Sequence, residues 1–332
     1  MTFPWTQDKL LDLVRGFQPA CVVAAAADLD LFSHLSSQPA KASCLAQTLE
    51  ADTRGLRILL DALVALDLII KQDECYSITE PVKQLMSQEA DASVLASVQH
   101  LANCLRSWSQ LAHTIKTGHP CERAPSVRGV QGDTESFIGA MQTFTRAQIP
   151  DTVKQLHGLQ FTHLLDIGGA SGNWTAGFLE ARPDATATLF DLPEVIPLAQ
   201  SHLAHCKMTN RVRLVPGDYN TDALPADADF AWLSAIAHQN SRAQNKTLFA
   251  RIYSALQPGG KLIVRDIVMA PERTHPVPDV LFAVNMLACT QAGDTFTWDE
   301  YHEDLRGAGF TNIELIREGA GMNSLIQAIR PS

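Results

Sequence analysis

Long apolar runs are missing from this chain. No stretch approaches about 18 uninterrupted apolar residues, the length a membrane-spanning helix needs, so no membrane partner is expected. The opening MTFPWTQDKL has no basic segment leading into an apolar one, so no secretory signal is expected and the cytoplasm is the expected location. Cysteines at metal or redox spacing are also missing. Cys21, Cys44, Cys75, Cys104, Cys121, Cys206 and Cys289 are scattered, odd in number and never spaced C-x-x-C. That excludes a zinc ribbon or a thioredoxin motif and reads as reduced thiols. An excess of basic charge is missing as well: 26 Lys and Arg face 36 Asp and Glu, a net charge of −10. An acidic surface repels phosphate backbones, so nucleic acid is not expected as the main partner, although a small cationic ligand stays open. There are no internal repeats or low-complexity tracts.

What is present suits a globular chain. Its 332 residues favour two domains, and 46% hydrophobic against 19% charged residues supplies a sizeable core. Residues from about 8 to 115 read as mostly helical, with apolar positions at helical spacing in LLDLVRGF and VVAAAADLDLFSHL. Ala42–Val64 reads as two short helices around a turn, with Asp52 or Thr53 as N-cap. ALDLIIKQDECYSIT follows as strand, polar turn and strand. Helix, turn, helix and hairpin suggest a winged helix. From Lys41 to Ala90, however, five basic residues face eight acidic ones, so packing or dimerisation is favoured over DNA reading. Gly118–Asp133 reads as a linker or domain-crossing loop, and a helix from about Glu135 to Leu159 is predicted to follow it.

After Phe161 short apolar runs alternate with amphipathic segments: HLLDIGG, TATLFD, RVRLVPGD, DFAWLS, KLIVRDIV, then NIELIRE and SLIQAIR. Such alternation predicts a parallel sheet flanked by helices. The last two runs are joined only by GAGMN, too short for a crossover, so they should pair antiparallel.

The segment Leu164–Asn173, LLDIGGASGN, is a buried strand ending in a glycine turn that opens a helix. No Lys follows, which excludes a phosphate-binding P-loop, and the first, third and sixth positions are Gly168, Ala170 and Asn173, which fails the dinucleotide fingerprint. The D-x-G-x-x-x-G spacing from Asp166 through Gly168 to Gly172 suits a phosphate-free cofactor with a cationic amino-acid end. Asp191, 25 residues after Asp166, closes the next strand, where a carboxylate can grip two ribose hydroxyls. Asp218 closes the third, placed for an adenine amino group. The alternative for each carboxylate is a turn or helix cap. His202, His205 and Cys206 sit at i, i+3, i+4; without a fourth ligand they read as an exposed helix face, and no metal is expected.

On these motifs the C-terminal half resembles class I methyltransferases. The whole chain, from about Pro19 to Ile329, resembles the S-adenosylmethionine-dependent O-methyltransferases of the caffeic acid and hydroxyindole (acetylserotonin) type, most clearly in LLDIGGASGNW, FDLP, PGDY, ALQPGGKLIVRD and LRGAGF. The resemblance implies a winged-helix-like dimerisation domain at 1–115, a linker and connecting helix at 116–160, and a Rossmann-like catalytic domain at 161–332. That domain would hold a seven-stranded, mostly parallel sheet with a C-terminal antiparallel hairpin. It further implies a homodimer, S-adenosylmethionine as cofactor and a small, hydroxylated aromatic acceptor. Gly168, Gly169 and Gly172 would carry the methionine end, Asp191 and Leu192 the ribose, and Asp218 and Tyr219 the adenine. Ser234 and Met141 would touch the cofactor. His238 would be the general base, and Phe137, Phe282, Asn285, Met286 and Trp108 would line the acceptor site.

The chain departs from that pattern in three places. The family's third loop glycine is Ala170, the usual H-D-W reads His238-Gln239-Asn240, and the acidic partners of the histidine fall near Ala283 and Thr295. Asp266, Asp279 and Asp294 are the candidates to replace those partners. The competing readings are methyl transfer to carbon or nitrogen, a relative that does not methylate, and a transcription regulator that senses S-adenosylmethionine.

Overall fold

The computed structural model describes residues 5–88, 90 and 92–332. Its contacts cluster into two compact units. One holds the chain up to Arg106 together with Arg123–Thr143, and the other holds Ser107–Glu122 and Phe144–Ser332.

The first unit begins with α1 (Gln7–Arg15), α2 (Phe17–Asp28) and α3 (Leu31–Ser37), followed by β1 (Ala40–Lys41) and α4 (Ala42–Thr48). Then come α5 (Thr53–Ala65), β2 (Ile69–Gln72), β3 (Cys75–Ile78), α6 (Glu80–Met86) and most of α7 (Leu95–Trp108). Asp52 caps α5 by accepting from the Gly55 amide at 2.7 Å, as its short side chain predicts. Leu56, Leu60 and Leu63 recur on one face of α5 and enter a core with Leu31, Phe32 and Tyr76. The β2–β3 hairpin pairs Ile69 with Ile78, and β1 adds on the other side of β3, which completes the expected winged-helix arrangement.

α1 buries none of its residues and exposes Leu10, Leu11, Leu13 and Val14, with Phe17 following. Among the described residues, Gln7–Asp28 is by length and composition apolar enough to cross a membrane. Asp8, Asp12 and Arg15 interrupt it, so it is no uninterrupted apolar run.

In the second unit, α8 (Leu111–Thr117), the end of α9 (Gly129–Arg146) and α10 (Ile149–Gln155) lead to β4 (His163–Ile167), α11 (Asn173–Ala181), β5 (Thr186–Asp191), α12 (Ile196–His205) and β6 (Val212–Pro216). β7 (Ala228–Ser234), α13 (Arg242–Ala255), β8 (Leu256–Asp266), β9 (Val268–Met269) and α14 (Val277–Cys289) come next. β10 (Phe296–Thr297), α15 (Trp298–Gly307), β11 (Thr311–Arg317) and β12 (Ser324–Ile329) complete it.

The single helix expected from Glu135 to Leu159 is two. α9 starts earlier, at Gly129, and ends at Arg146; α10 starts at Ile149. Pro150 accounts for the break, because it lacks an N–H and its ring clashes with the preceding turn, yet it is tolerated in the first turn of a new helix.

All seven expected strands form, in the order β11-β12-β8-β7-β4-β5-β6. β4 to β8 pair in parallel, while β12 runs antiparallel to β8 and β11 to β12, as the short GAGMN connection predicts. Helices cover both faces, so the central strands are apolar on both sides: Leu164, Leu165, Ile167, Phe230, Trp232 and Leu233 are all fully buried. The strand order reverses between β4 and β7. In an open α/β sheet the crevice beyond the carboxyl ends of such a pair is where ligands bind.

Candidate active site

The glycine turn follows β4 directly. Gly168 has φ +67°, a conformation that L side chains rarely adopt, and a Cβ on it would lie 2.4 Å from Ile236 Cδ1, so that side chain would have to move. Gly169 follows, and Gly172, at φ +82°, leads into α11. Ala170 stands between them at φ +49°, a left-handed conformation that disfavours any Cβ. A hydrogen bond holds it there: its amide donates to Asp191 Oδ2 at 2.7 Å.

Asp191 ends β5. Its Oδ1 accepts from the Leu192 amide at 2.7 Å, so backbone donors fix both oxygens while each keeps a further lone pair. Burial pushes this carboxyl up, and the two amides pull it back. Asp218, beyond the end of β6, accepts from the Asn220 amide at 2.8 Å, and beside it burial pushes the Tyr219 hydroxyl up to about 12. Gly217 donates to the Asp191 carbonyl at 2.9 Å, which brings the ends of β5 and β6 together. Asp166 is different. It is 1% exposed, and its Oδ2 accepts from Thr175 Oγ1 at 2.6 Å. Burial pushes its carboxyl up to about 7 and nearby Asp191 adds to the rise, while Thr175 opposes it.

Ser234, at the end of β7, accepts from Arg265 at 3.1 Å. Arg265 is 2% exposed, lies 5.0 Å over the Trp174 ring and also donates to Gln148 and Asn323. Its partners are neutral oxygens, and burial pushes the guanidinium down to about 10.

His238 sits in the tight turn Ala237–Gln239 just past β7 and is buried. Asn245 pins that turn by donating to the Ala237 carbonyl at 2.8 Å. His238 Nδ1 lies 2.7 Å from Asp266 Oδ1 at the end of β8, the His238 amide donates to Asp266 Oδ2 at 3.2 Å, and the Ile267 amide donates to Oδ1 at 2.8 Å. A carboxylate only accepts, so the Nδ1 proton belongs on the histidine; in the neutral ring the lone pair is then on Nε2. Among the described residues Nε2 has no hydrogen-bond partner. Phe282 of α14 meets the imidazole edge-on at 4.9 Å between ring centres. Asn285, one turn further along α14, accepts from Trp108 Nε1 at 2.7 Å, and Met286 beside it is buried. Met141 and Phe137 lie on α9 within the first unit, where Phe137 stacks edge-on with His100 at 5.2 Å.

Three of these residues carried no local signal, and a fourth was not singled out. Thr175, Trp174 and Arg265 read in sequence as ordinary helix and strand positions, and Asp266 was one of three acidic candidates. Strand register alone selects it, because the ends of β7 and β8 lie side by side with Ser234 opposite Arg265. Among the described residues, no three His, Cys, Asp or Glu side chains are grouped to hold a metal ion, and His202 instead contacts Cys206 Sγ at 3.6 Å.

Comparison with known proteins agrees with this layout. The O-methyltransferase domain model matches residues 126–311, and the O-methyltransferase dimerisation domain model matches residues 11–88. The tetracenomycin polyketide synthesis 8-O-methyl transferase TcmO of Streptomyces glaucescens is 31% identical over 92% of this chain and 91% of its own. The 3-hydroxy-5-methyl-1-naphthoate 3-O-methyltransferase of Streptomyces sahachiroi is 28% identical over 97% and 94%. The crystal structure of human N-acetylserotonin methyltransferase with SAM superposes with a TM-score of 0.81 at 24% identity, covering 100% of both chains. The chain belongs to the S-adenosylmethionine-dependent O-methyltransferase family.

Proposed function

We propose that the chain methylates a hydroxyl of a small aromatic acceptor, with His238 as the general base and Asp266 as the residue that positions it. One observation carries this reading: the 2.7 Å contact between His238 Nδ1 and Asp266 Oδ1 in a buried turn, which orients the ring and leaves Nε2 without a partner among the described residues.

S-adenosylmethionine, when bound, supplies an electrophilic methyl group on a sulfonium sulfur. The crevice has the donor set such a molecule requires. Asp191 is buried and fixed by two amides yet keeps lone pairs for the ribose hydroxyls, and Leu192 lies next to it. Asp218 and Tyr219 close the adenine end. The loop of Gly168, Gly169 and Gly172 keeps side chains away from the methionine end, and Ser234 borders it. Burial pushes the Asp191 carboxyl up, which favours a ligand that donates hydrogen bonds to it.

At the acceptor, the hydroxyl proton would pass to His238 Nε2 as the oxygen takes the methyl group that the cofactor would supply. A phenol has a pKa near about 10, so removing its proton during transfer lowers the barrier. Phe282 sets the imidazole edge-on to its own ring, and with Met286 it offers an apolar wall to an aromatic ring. Asn285 and Trp108 bring the polar groups.

The dimerisation-domain match and the exposed apolar residues of α1 support a homodimer formed through the N-terminal unit. The test of the activity is a screen of phenolic, indolic and quinone acceptors with methyl-labelled cofactor. Label transfer to an acceptor oxygen supports the reading, and transfer to carbon or nitrogen alone rejects it.

A further inference from the structure

The amide of Asn285 is committed on one side. Trp108 Nε1 donates to its Oδ1 at 2.7 Å, and Cys289 Sγ, one turn on along α14, approaches the same oxygen at 3.5 Å. An indole nitrogen carries a hydrogen and no lone pair, so it only donates. Turning the amide over would set N–H against N–H and leave the indole unsatisfied, which fixes which end is oxygen. Both lone pairs of Oδ1 are then occupied, and an acceptor hydroxyl finds nothing there to receive its proton. What remains is Nδ2 with two hydrogens. Among the described residues it makes no hydrogen bond within the protein, and Asn285 is only partly buried. Phe282, one turn earlier on the same helix face, is the residue that meets His238.

We propose that Asn285 acts as a one-way donor, locked by Trp108, that selects acceptors carrying a hydrogen-bond-accepting oxygen beside the hydroxyl to be methylated. The substrate class is a hydroxyaryl ketone or hydroxyquinone. A ring carbonyl satisfies Nδ2 at once, whereas an amine or ammonium at that place sets donor against donor. The inference rests on the acceptor-site reading above and narrows it.

The experiment compares 1-hydroxy-2-acetylnaphthalene with 1-naphthol, using the full-length wild type, Asn285→Asp and Trp108→Phe. Preference is the ratio of kcat/KM for ketone over naphthol; comparing that ratio between proteins cancels the intrinsic reactivity of the two phenols. Wild type should prefer the ketone. Asn285→Asp still accepts from Trp108 but offers the ketone no donor, so its preference should fall about tenfold, in line with one lost hydrogen bond at a partly buried site. Trp108→Phe frees the amide to turn, so its preference should fall severalfold, expressed in the KM for the ketone more than in kcat. Calorimetric affinity for S-adenosylmethionine should stay within twofold in both variants, which separates selectivity from misfolding. An unchanged preference in either variant overturns the inference while the O-methyltransferase reading stands. A wild type that binds S-adenosylmethionine but methylates neither compound overturns the aromatic-acceptor reading, and the inference with it.

Discussion

Asp266 and His238 are 28 residues apart in sequence and 2.7 Å apart in space. β7 and β8 are parallel neighbours in which Ser234, the last residue of β7, pairs with Arg265, so the turn after β7 falls beside Asp266, the final side chain of β8. The carboxylate takes a side-chain and a backbone N–H from the same histidine, which fixes both the position and the tautomer of the ring. His238→Ala should lower kcat by about 10²-fold or more. Asp266→Ala should lower kcat by at least about tenfold, with the KM for S-adenosylmethionine unchanged. Steady-state kinetics with a turned-over phenol decides this. A loss confined to KM in both variants would leave alignment of the reactants, without proton transfer, as the source of rate.

Asp191 receives the Ala170 amide and its neighbour's amide through one carboxylate, so its orientation is set before any ligand arrives. Asp191→Ala should weaken S-adenosylmethionine at least about 10²-fold by calorimetry, since two charge-assisted hydrogen bonds are worth about 1.5–3 kcal/mol each. Unaltered affinity would remove Asp191 from the site.

Asp166 makes the stability depend on pH in a definite direction. Its folded value is about 7 and its ordinary value 3.8, so folding takes up a proton between the two. Its contribution is complete below about pH 4 and is lost as pH rises through about 7. The melting temperature of the ligand-free wild type should therefore fall more steeply from pH 5 to pH 8 than that of Asp166→Asn. Parallel curves would mean that Asp166 does not titrate in that window.

α1 exposes a row of leucines and a valine and buries none of its residues, with Leu13 at 63% and Val14 at 62%. Leu13→Asp combined with Val14→Asp should shift the protein from dimer to monomer in analytical ultracentrifugation, because a charge inside an apolar interface is costly to desolvate. Sedimentation as an undisturbed dimer would locate the interface elsewhere.

The sheet was legible because parallel strands covered on both faces read as apolar runs, and LLDI, TLF and AWL have no other place to go. The carboxylates at the ends of β5 and β6 were legible from their spacing after those runs. Side-chain direction was not. Asp166 looked like a ligand-facing acid, and the structure buries it against Thr175, nine residues on in α11. The partner of His238 was beyond reach of the sequence, since Asp266, Asp279 and Asp294 are equally acidic and only the pairing of β7 with β8 separates them. Pro150 was a visible signal: an otherwise helical stretch with proline four residues after Arg146 should have been divided there.

Neither compact unit is one continuous piece of chain. The polypeptide passes from the first to the second after Arg106, back after Glu122, and across again after Thr143. A fragment cut at residue 115 would lack α9 from the first unit, and one starting at 161 would lack α8, with its neighbour Trp108, from the second. Three covalent crossings make the catalytic half unsuitable for excision. A single break anywhere from residue 106 to 143 leaves at least one unit without part of its own chain.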